Sequence, residues 1–538
     1  MMTSALLRSR SSWTAFLLFL LSGIVHAGDD TERCTYVNVT DLPIRYTGAG
    51  LIPAVDGAIN GTPAVMLVDT GTSTTALTMN AVTRRDINPF MTGRWIEGFG
   101  GISRLYSARL KAFSVGPAHS TRRIELDVIG STTATPSFDA ILGAPFLLQM
   151  DLELDLRAKR LKFYRPRDCG KTPLLLWKEA TVVLPFERNY GKSPNPHFTV
   201  MVNGKEMDAV IDSGAHRSFM MLDAAKRAGI DVDGPGAIRL ADTGGIGTDR
   251  VPYWVAPVKT VQFGDETIRN VELGVIGTRG SQVADLFLGE DFLRAHRVLF
   301  AMSQEKLYIA YLGGDVFTRG TGLEPWMRAE AEGGNADAQY ALATMYYDGR
   351  GVARDPVQAG AWLDKAVAQG QPNANLLLGR RQMLAGHLDT AIPQLRRALD
   401  QLPADRLGPL WLYVARARHG DAALAQTELE AAMKQQKEDD WPAPIADFYL
   451  GKTNAAHLLE EAAKDAKLAR GRTCMAQAYM AEWHGARGDA AEASALRATM
   501  RTNCAPAPAP VPAPAPAAAP VPQPTGGAAP LDLGPPAA

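Results

Sequence analysis

Two hydrophobic patterns divide the chain. From about residue 36 to 312, apolar residues come in short runs and alternations. From about residue 323 they recur at helical spacing. In the first stretch, Ala64–Val68, Ile124–Ile129 and Leu152–Leu156 are short apolar runs with Gly and Pro between them, which predicts a β-rich region. Leu152, Leu154 and Leu156 alternate, and Leu161 and Phe163 follow across a turn at Arg157–Arg160. This pattern predicts a hairpin with one buried face. The later stretch is rich in Ala, Leu, Gln and Glu and predicts helices at Ala391–Leu399, Leu410–His419, Ala422–Lys434 and along Met475–Met500.

The β-rich stretch is written twice. Asn60-Gly61, a hairpin-turn signal, opens an apolar run ending in Val68-Asp69-Thr70-Gly71-Thr72-Ser73. Asn203-Gly204 opens another ending in Ile211-Asp212-Ser213-Gly214-Ala215-His216, 143 residues later. Ile124–Gly130 returns as Val271–Gly277, at offset 147. Asp139-Ala-Ile-Leu-Gly143 returns as Asp285-Leu-Phe-Leu-Gly289, at offset 146, and Leu161 returns as Leu307. Four matched segments at nearly one offset mark an internal duplication. A carboxylate directly after a buried strand is costly to desolvate. Two of them, in two copies of one unit, point to a pair meeting on a pseudo-twofold axis.

On these residues each half resembles a subunit of a retropepsin-like aspartic protease, over roughly residues 36 to 312. The first half offers Leu67-Val68-Asp69-Thr70-Gly71-Thr72 with Ile141-Leu142-Gly143. The second offers Val210-Ile211-Asp212-Ser213-Gly214-Ala215 with Phe287-Leu288-Gly289. The resemblance implies an all-β acid-protease pseudo-dimer, with Asp69 and Asp212 as the catalytic pair. Thr70 and Ser213 would brace that pair, and Gly71 and Gly214 would allow its tight turns. It also implies a glycine-rich flap over the cleft. Gly98, Gly100 and Gly101, and Gly244, Gly245 and Gly247, stand at the matching places, where an ordinary Gly-rich turn is the alternative. Asp242-Thr243-Gly244 falls at the flap position and reads as a decoy. Ser73 and His216 are the pocket candidates. His216 stands where the family commonly has a small or acidic residue, and is either a pocket-lining group or a solvated rim histidine.

Charge and length narrow the setting. At 538 residues the chain needs several domains. A formal net charge of −1 and a pI near 6.8 give no electrostatic case for nucleic acid. Arg8 and Arg10 precede an apolar run, Trp13 to Val25, and Val25-His26-Ala27 fits a cleavage site. A cleaved signal peptide over residues 1–27 is expected, with an uncleaved anchor as the alternative. The mature protein is then periplasmic or secreted from a bacterial cell, with no membrane span. Four cysteines allow three pairings. Cys34 and Cys169 bracket the first β unit, and Cys474 and Cys504 bracket the last helices, so the expected bonds are Cys34–Cys169 and Cys474–Cys504. Four free thiols would mean that the protein is not exported. No metalloprotease, serine-hydrolase or phosphate-loop motif is present, and the histidines lack ligand spacing, so neither cofactor nor metal is expected.

Residues 331–352, with Asp355 and 359–370, resemble a Sel-like repeat, and the helices after them are tetratricopeptide-like. Ala331-Glu-Gly333 recurs as Ala368-Gln-Gly370, a period of 37 residues. The resemblance implies an α-α solenoid with a concave surface for a protein or peptide. A bundle that merely caps the β region is the alternative. After Cys504 the chain is Pro/Ala-rich and cannot bury a core.

The expected architecture is a signal peptide (1–27), retropepsin-like halves (28–170 and 171–313), helical repeats (320–504) and a disordered tail (505–538). The expected function is an exported aspartic endopeptidase acting on a protein or peptide, its repeats recruiting substrate or partner. The rival is a non-catalytic periplasmic scaffold with a protease-like fold and a repeat adaptor.

Overall fold

A computed structural model describes residues 24–26 and 34–504, apart from 49, 121, 133–135, 171, 175, 189–193, 241, 248, 278–283, 318–321, 404, 437–440 and 465–468. The expected signal peptide, except Ile24–His26, and the Pro/Ala-rich tail lie outside the described residues. The chain forms two compact units, residues 1–446 and 447–538.

In the first unit the two copies of the duplicated sequence build two separate sheets and share a third. The first copy's sheet has ten strands and the second copy's has seven. In both, the strand that leads to the motif aspartate lies parallel to the strand of the later apolar pair. Thr62–Val68 pairs with Ala140–Leu142, and Lys205–Ile211 pairs with Leu286–Leu288. The Asn-Gly signals sit in the hairpin turns before these strands, where Asn60 and Asn203 both adopt positive φ. The third sheet runs Ile24–His26, Thr35–Pro43, Arg160–Arg167, Asp151–Asp155, His296–Ala301, Lys306–Tyr311, Thr181–Pro185. Its centre joins the closing hairpins of the two copies, with Leu152 opposite Phe300 and Leu154 opposite Val298 in antiparallel register. Equivalent strands running antiparallel side by side are what a twofold axis requires.

The closing hairpin departs from the one-faced pattern expected for it. Leu152, Leu154, Leu161 and Phe163 are buried, but so are Asp151, Glu153 and Asp155. The reason is a second covering layer on the far face, formed by Tyr36, Tyr164, Leu174, Leu299 and Tyr308 with the disulfide Cys34–Cys169. The three acids are satisfied within it. Asp151 accepts from Tyr36 Oη and Ser303 Oγ, both at 2.7 Å. Glu153 accepts from Lys162 Nζ and Trp177 Nε1, both at 2.9 Å, and Asp155 accepts from Arg297 Nε at 2.8 Å. Buried acids are tolerated when paired and hydrogen-bonded in this way.

Helices follow the β region. Within the first unit they are Pro325–Glu332, Ala336–Asp348, Pro356–Ala368, Pro372–Leu384, Leu388–Gln401, Gly408–His419 and Ala422–Gln436. Ala443–Tyr449 spans the unit boundary. Their ends follow local chemistry. Asn335 and Asp355 accept from the backbone N–H groups of the first turns they open, and Gly349 and Gly420 end helices at positive φ. The first two helices do not stand apart from the β region. Met327, Ala331, Ala338 and Leu342 belong to the same buried cluster as the strands, and Phe317 of the connection is fully enclosed. Asn335 Nδ2 donates to Tyr46 O at 3.0 Å, Thr47 Oγ1 donates to Asp337 Oδ2 at 3.0 Å, and Lys159 pairs with Glu330.

The second unit contains Ala455–Ala463, Ala469–Ala486 and Ala490–Asn503, with the disulfide Cys474–Cys504 joining the last two. The stretch Met475–Met500 is thus two helices. Gly488 at positive φ breaks it, and Asp489 caps the second helix. No described helix is long and apolar enough to cross a membrane.

The continuous core generates a prediction. A chain ending near Gly313 holds both β copies, but it lacks the helices that cover Tyr46 and Thr47. It should be less soluble than the full chain and melt at a clearly lower temperature, measured by light scattering and thermal unfolding. An unchanged melting temperature would show that the helices add nothing to the β core.

Candidate active site

Each motif aspartate sits where its strand ends, its backbone held by the neighbouring strand. Asp69 N–H donates to Leu142 O at 3.1 Å, and Asp212 N–H donates to Leu288 O at 2.9 Å. The glycine that follows each apolar pair is needed by the same turn. A side chain on Gly143 would collide with Thr74 O, and one on Gly289 with the backbone of Ala215 and Arg217.

The two turns then interlock across the axis. Thr70 Oγ1 donates to Ile211 O at 2.6 Å and accepts from Ser213 N–H at 3.1 Å. In return, Ser213 Oγ donates to Val68 O at 2.8 Å and accepts from Thr70 N–H at 3.0 Å. All four bonds are buried, in a setting where a lost partner costs more than the bond itself contributes. The interlock brings each carboxyl against the other copy's glycine. A Cβ on Gly71 would overlap the Asp212 carboxyl, and one on Gly214 the Asp69 carboxyl. The sequence candidates Asp69, Thr70, Gly71, Asp212, Ser213 and Gly214 are therefore brought together in one place.

The two carboxyls hydrogen-bond to each other but are not equivalent. Asp69 Oδ1 accepts from the N–H groups of Gly71 and Thr72 at 2.9 and 3.0 Å. Asp69 Oδ2 also accepts from the Thr72 hydroxyl at 2.6 Å. Asp212 has the backbone donors, with Gly214 N–H at 3.0 Å, but Ala215 stands where Thr72 does and supplies no hydroxyl. Burial raises both carboxyls above the usual carboxylate range. The hydrogen bonds oppose this at Asp69, whereas the neighbouring Asp69 charge pushes Asp212 higher still. This unequal supply favours the shared proton on Asp212 and the charge on Asp69. This difference was legible in Thr72 against Ala215, although the sequence reading did not use it.

The two glycine runs adopt different structures. Gly98-Phe99-Gly100-Gly101 forms the tip of a long hairpin, Phe90–Gly98 with Gly101–Leu110. Gly244, Gly245 and Gly247 lie in a loop closed by one bridge, Thr243 with Val251. Among the described residues, Ile238–Arg239 pair with Val255 and Trp254, and Leu240 N–H donates to Tyr253 O at 2.9 Å, so the second run tops a shorter, less regular pairing than the first. Asp242 of the decoy motif pairs with Arg239 in this loop. The two tips hold each other. Gly100 N–H donates to Ile246 O at 2.9 Å, and Asp249 N–H donates to Gly100 O at 2.8 Å. Phe99 packs edge-on against the stacked rings of Phe219 and Phe287, at 5.0 and 5.4 Å. Ile246 packs against Leu67, Leu105, Ile129 and Ile141 of the first copy. Each tip thus places one apolar side chain on the other copy. Sequence reasoning registered the glycines and passed over Phe99 and Ile246 between them. Ser73 and His216 both lie exposed at the rim of the turns.

Comparison with known proteins matches both halves to protease families. Residues 55–149 match the gag-polyprotein aspartyl protease model, and residues 198–292 match the aspartyl protease model. Among solved structures, the aspartic proteinase from Irpex lacteus is 15% identical to this chain. The match covers 52% of this chain and 99% of that one, with a TM-score of 0.36. A comparison with curated proteins finds no match. The chain thus carries two tandem regions that match aspartyl-protease models, followed by a helical region.

Two predictions rest on this geometry. Thr70→Val removes both bonds of the Thr70 hydroxyl and should cost about 1–3 kcal/mol of stability in denaturant unfolding. The second concerns pH. A carboxyl raised in the folded state binds its proton more tightly there, so its contribution to stability falls as pH rises from the unfolded value, about 4. The melting-temperature difference between Asp212→Asn and wild type should therefore grow in the mutant's favour from pH 4 to pH 7. A pH-independent difference would contradict the placement of the proton.

Proposed function

We propose that this chain is an aspartic endopeptidase that hydrolyses peptide bonds with Asp69 and Asp212. The observation that carries the reading is the buried carboxyl pair with unequal hydrogen-bond supply, which favours the charge on Asp69 and the proton on Asp212. Asp69 accepts a proton from a water between the two carboxyls. The water oxygen attacks the scissile carbon while Asp212 donates its proton to the carbonyl oxygen. The proton taken by Asp69 then passes to the leaving nitrogen as the C–N bond breaks, and a hydroxyl of the tetrahedral intermediate returns a proton to Asp212, without a covalent enzyme intermediate. The proton must reside on one carboxyl, so activity should favour acidic pH. Thr70 and Ser213 keep the pair at a fixed separation. The hairpin tip with Phe99 is the flap, and it has to lift for a peptide to enter.

We assign residues 28–170 and 171–313 to the two protease halves and residues 320–504 to an α-α solenoid of Sel-like and tetratricopeptide-like repeats. That solenoid recruits a protein substrate or partner. The protein acts in the bacterial periplasm or outside the cell after loss of residues 1–27. Two disulfides and the absence of a membrane-spanning helix among the described residues are compatible with that location. A non-catalytic scaffold would have no use for a buried carboxyl pair whose desolvation is costly.

Cleavage of a peptide library by the mature protein, from acidic to neutral pH, tests the reading. Asp69→Asn and Asp212→Asn should each reduce turnover by about 10²–10⁴-fold while the far-ultraviolet circular dichroism stays the same. Near wild-type turnover in either variant would remove the pair from the mechanism.

A further inference from the structure

The rim of the second half is wired to the helical region. His216 lies four residues after Asp212, and its side chain is 47% exposed. Its Nδ1 is 3.8 Å from Glu290 Oε1. Glu290 directly follows Leu288-Gly289, and its side chain is 1% exposed. Its other oxygen, Oε2, accepts from Arg294 Nη2 at 2.6 Å, one helical turn on, whereas Oε1 accepts no hydrogen bond from the described residues. The Arg294 guanidinium packs on two rings, 3.3 Å from the centre of Trp326 and 4.5 Å from that of Tyr46. Trp326 belongs to the first helix of the helical region, Pro325–Glu332, and its ring centre is 5.3 Å from that of Tyr46. Lys159 and Glu330, which pair with each other, are the other charges beside Tyr46.

We infer that Trp326 is a positioning residue for the cleft rim, acting through Arg294 and Glu290 on His216. A buried carboxylate needs its cation, so Glu290 goes where Arg294 holds it. A guanidinium that packs on two rings and donates to a buried carboxylate has little freedom left. The free oxygen of Glu290 is therefore aimed at one place, and His216 stands there. The first half has no such device, because Ser73 and Ala144 occupy the matching positions. A partner or substrate that shifts the first helix alters how His216 meets a peptide in the cleft, without touching the aspartates.

This inference rests on the peptidase reading only for its effect on peptides, so two readouts are used on the full chain. One is the split between KM and kcat. The other is the His216 ring signal in histidine-labelled protein, assigned with His216→Gln. Trp326→Ala should raise KM about three- to tenfold with kcat within about twofold, and should move the His216 signal. Trp326→Phe keeps a ring over Arg294 and should restore both. Glu330→Gln weakens the same helix contact without touching Arg294 and should change neither. A His216 signal unmoved by Trp326→Ala overturns the inference, as does Glu330→Gln reproducing the effects of Trp326→Ala. If the wild type cleaves no peptide, the peptidase reading fails on its own and the His216 signal decides this one.

Discussion

Two carboxyls buried side by side impose the constraint on which the β region depends. Separately, each would be expelled to water or neutralised. Together they share a proton, and the surrounding chain supplies donors to the one that stays charged. The hydroxyls of Thr70 and Ser213 cross the axis and tie each aspartate to the other copy's strand, so neither half can drift without breaking bonds in both. The shared sheet carries the same requirement across the molecule. Its central register, Leu152 against Phe300, fixes the two copies far from the aspartates as firmly as the hydroxyls fix them nearby. Duplication makes this economical, because one turn used twice supplies both carboxyls, both braces and both glycines.

Much of this was legible because the signals were local. The Asn-Gly turns, the apolar strands and the Asp-Thr-Gly and Asp-Ser-Gly turns owe their conformations to neighbours in sequence, and the repeat showed that they belong together. What was not legible depends on partners far along the chain. Asp151, Glu153 and Asp155 read as the wet face of a hairpin, and nothing beside them signals Tyr36, Trp177, Arg297 or Ser303. The second glycine run reads like the first, but composition alone does not say how many strand pairs support it. Trp326 and Arg294 carry no local signal that they meet, since one lies in the helical stretch and the other in the β-rich one. Periodicity marks which residues are buried, but not what they are buried against.

The boundary between β region and helices shows the same limit. Composition changes sharply near residue 323, and that change invites a division into independent parts. The physical core does not change there. Phe317, Met327, Ala331 and Leu342 continue the cluster that the strands begin. Polar bonds from Asn335 and Asp337 reach the short strand that carries Tyr46 and Thr47. A composition boundary records which secondary structure the residues favour, whereas folding independence depends on whether apolar surface is shared across it.

The flap and the rim give the two halves different tasks despite their common origin. Phe99 and Ile246 exchange places across the axis, and each packs on apolar side chains of the other copy. The polar rim does not share this symmetry. Ser73 on one side is a small exposed group with no hydrogen-bond partner among the described residues. His216 on the other side stands 3.8 Å from a buried carboxylate that accepts from Arg294, a cation packed on Tyr46 and Trp326. The duplicated parts thus bring the two carboxyls together. The parts that have diverged lie where the cleft meets the rest of the chain, and there a helical region can influence one half without disturbing the pair.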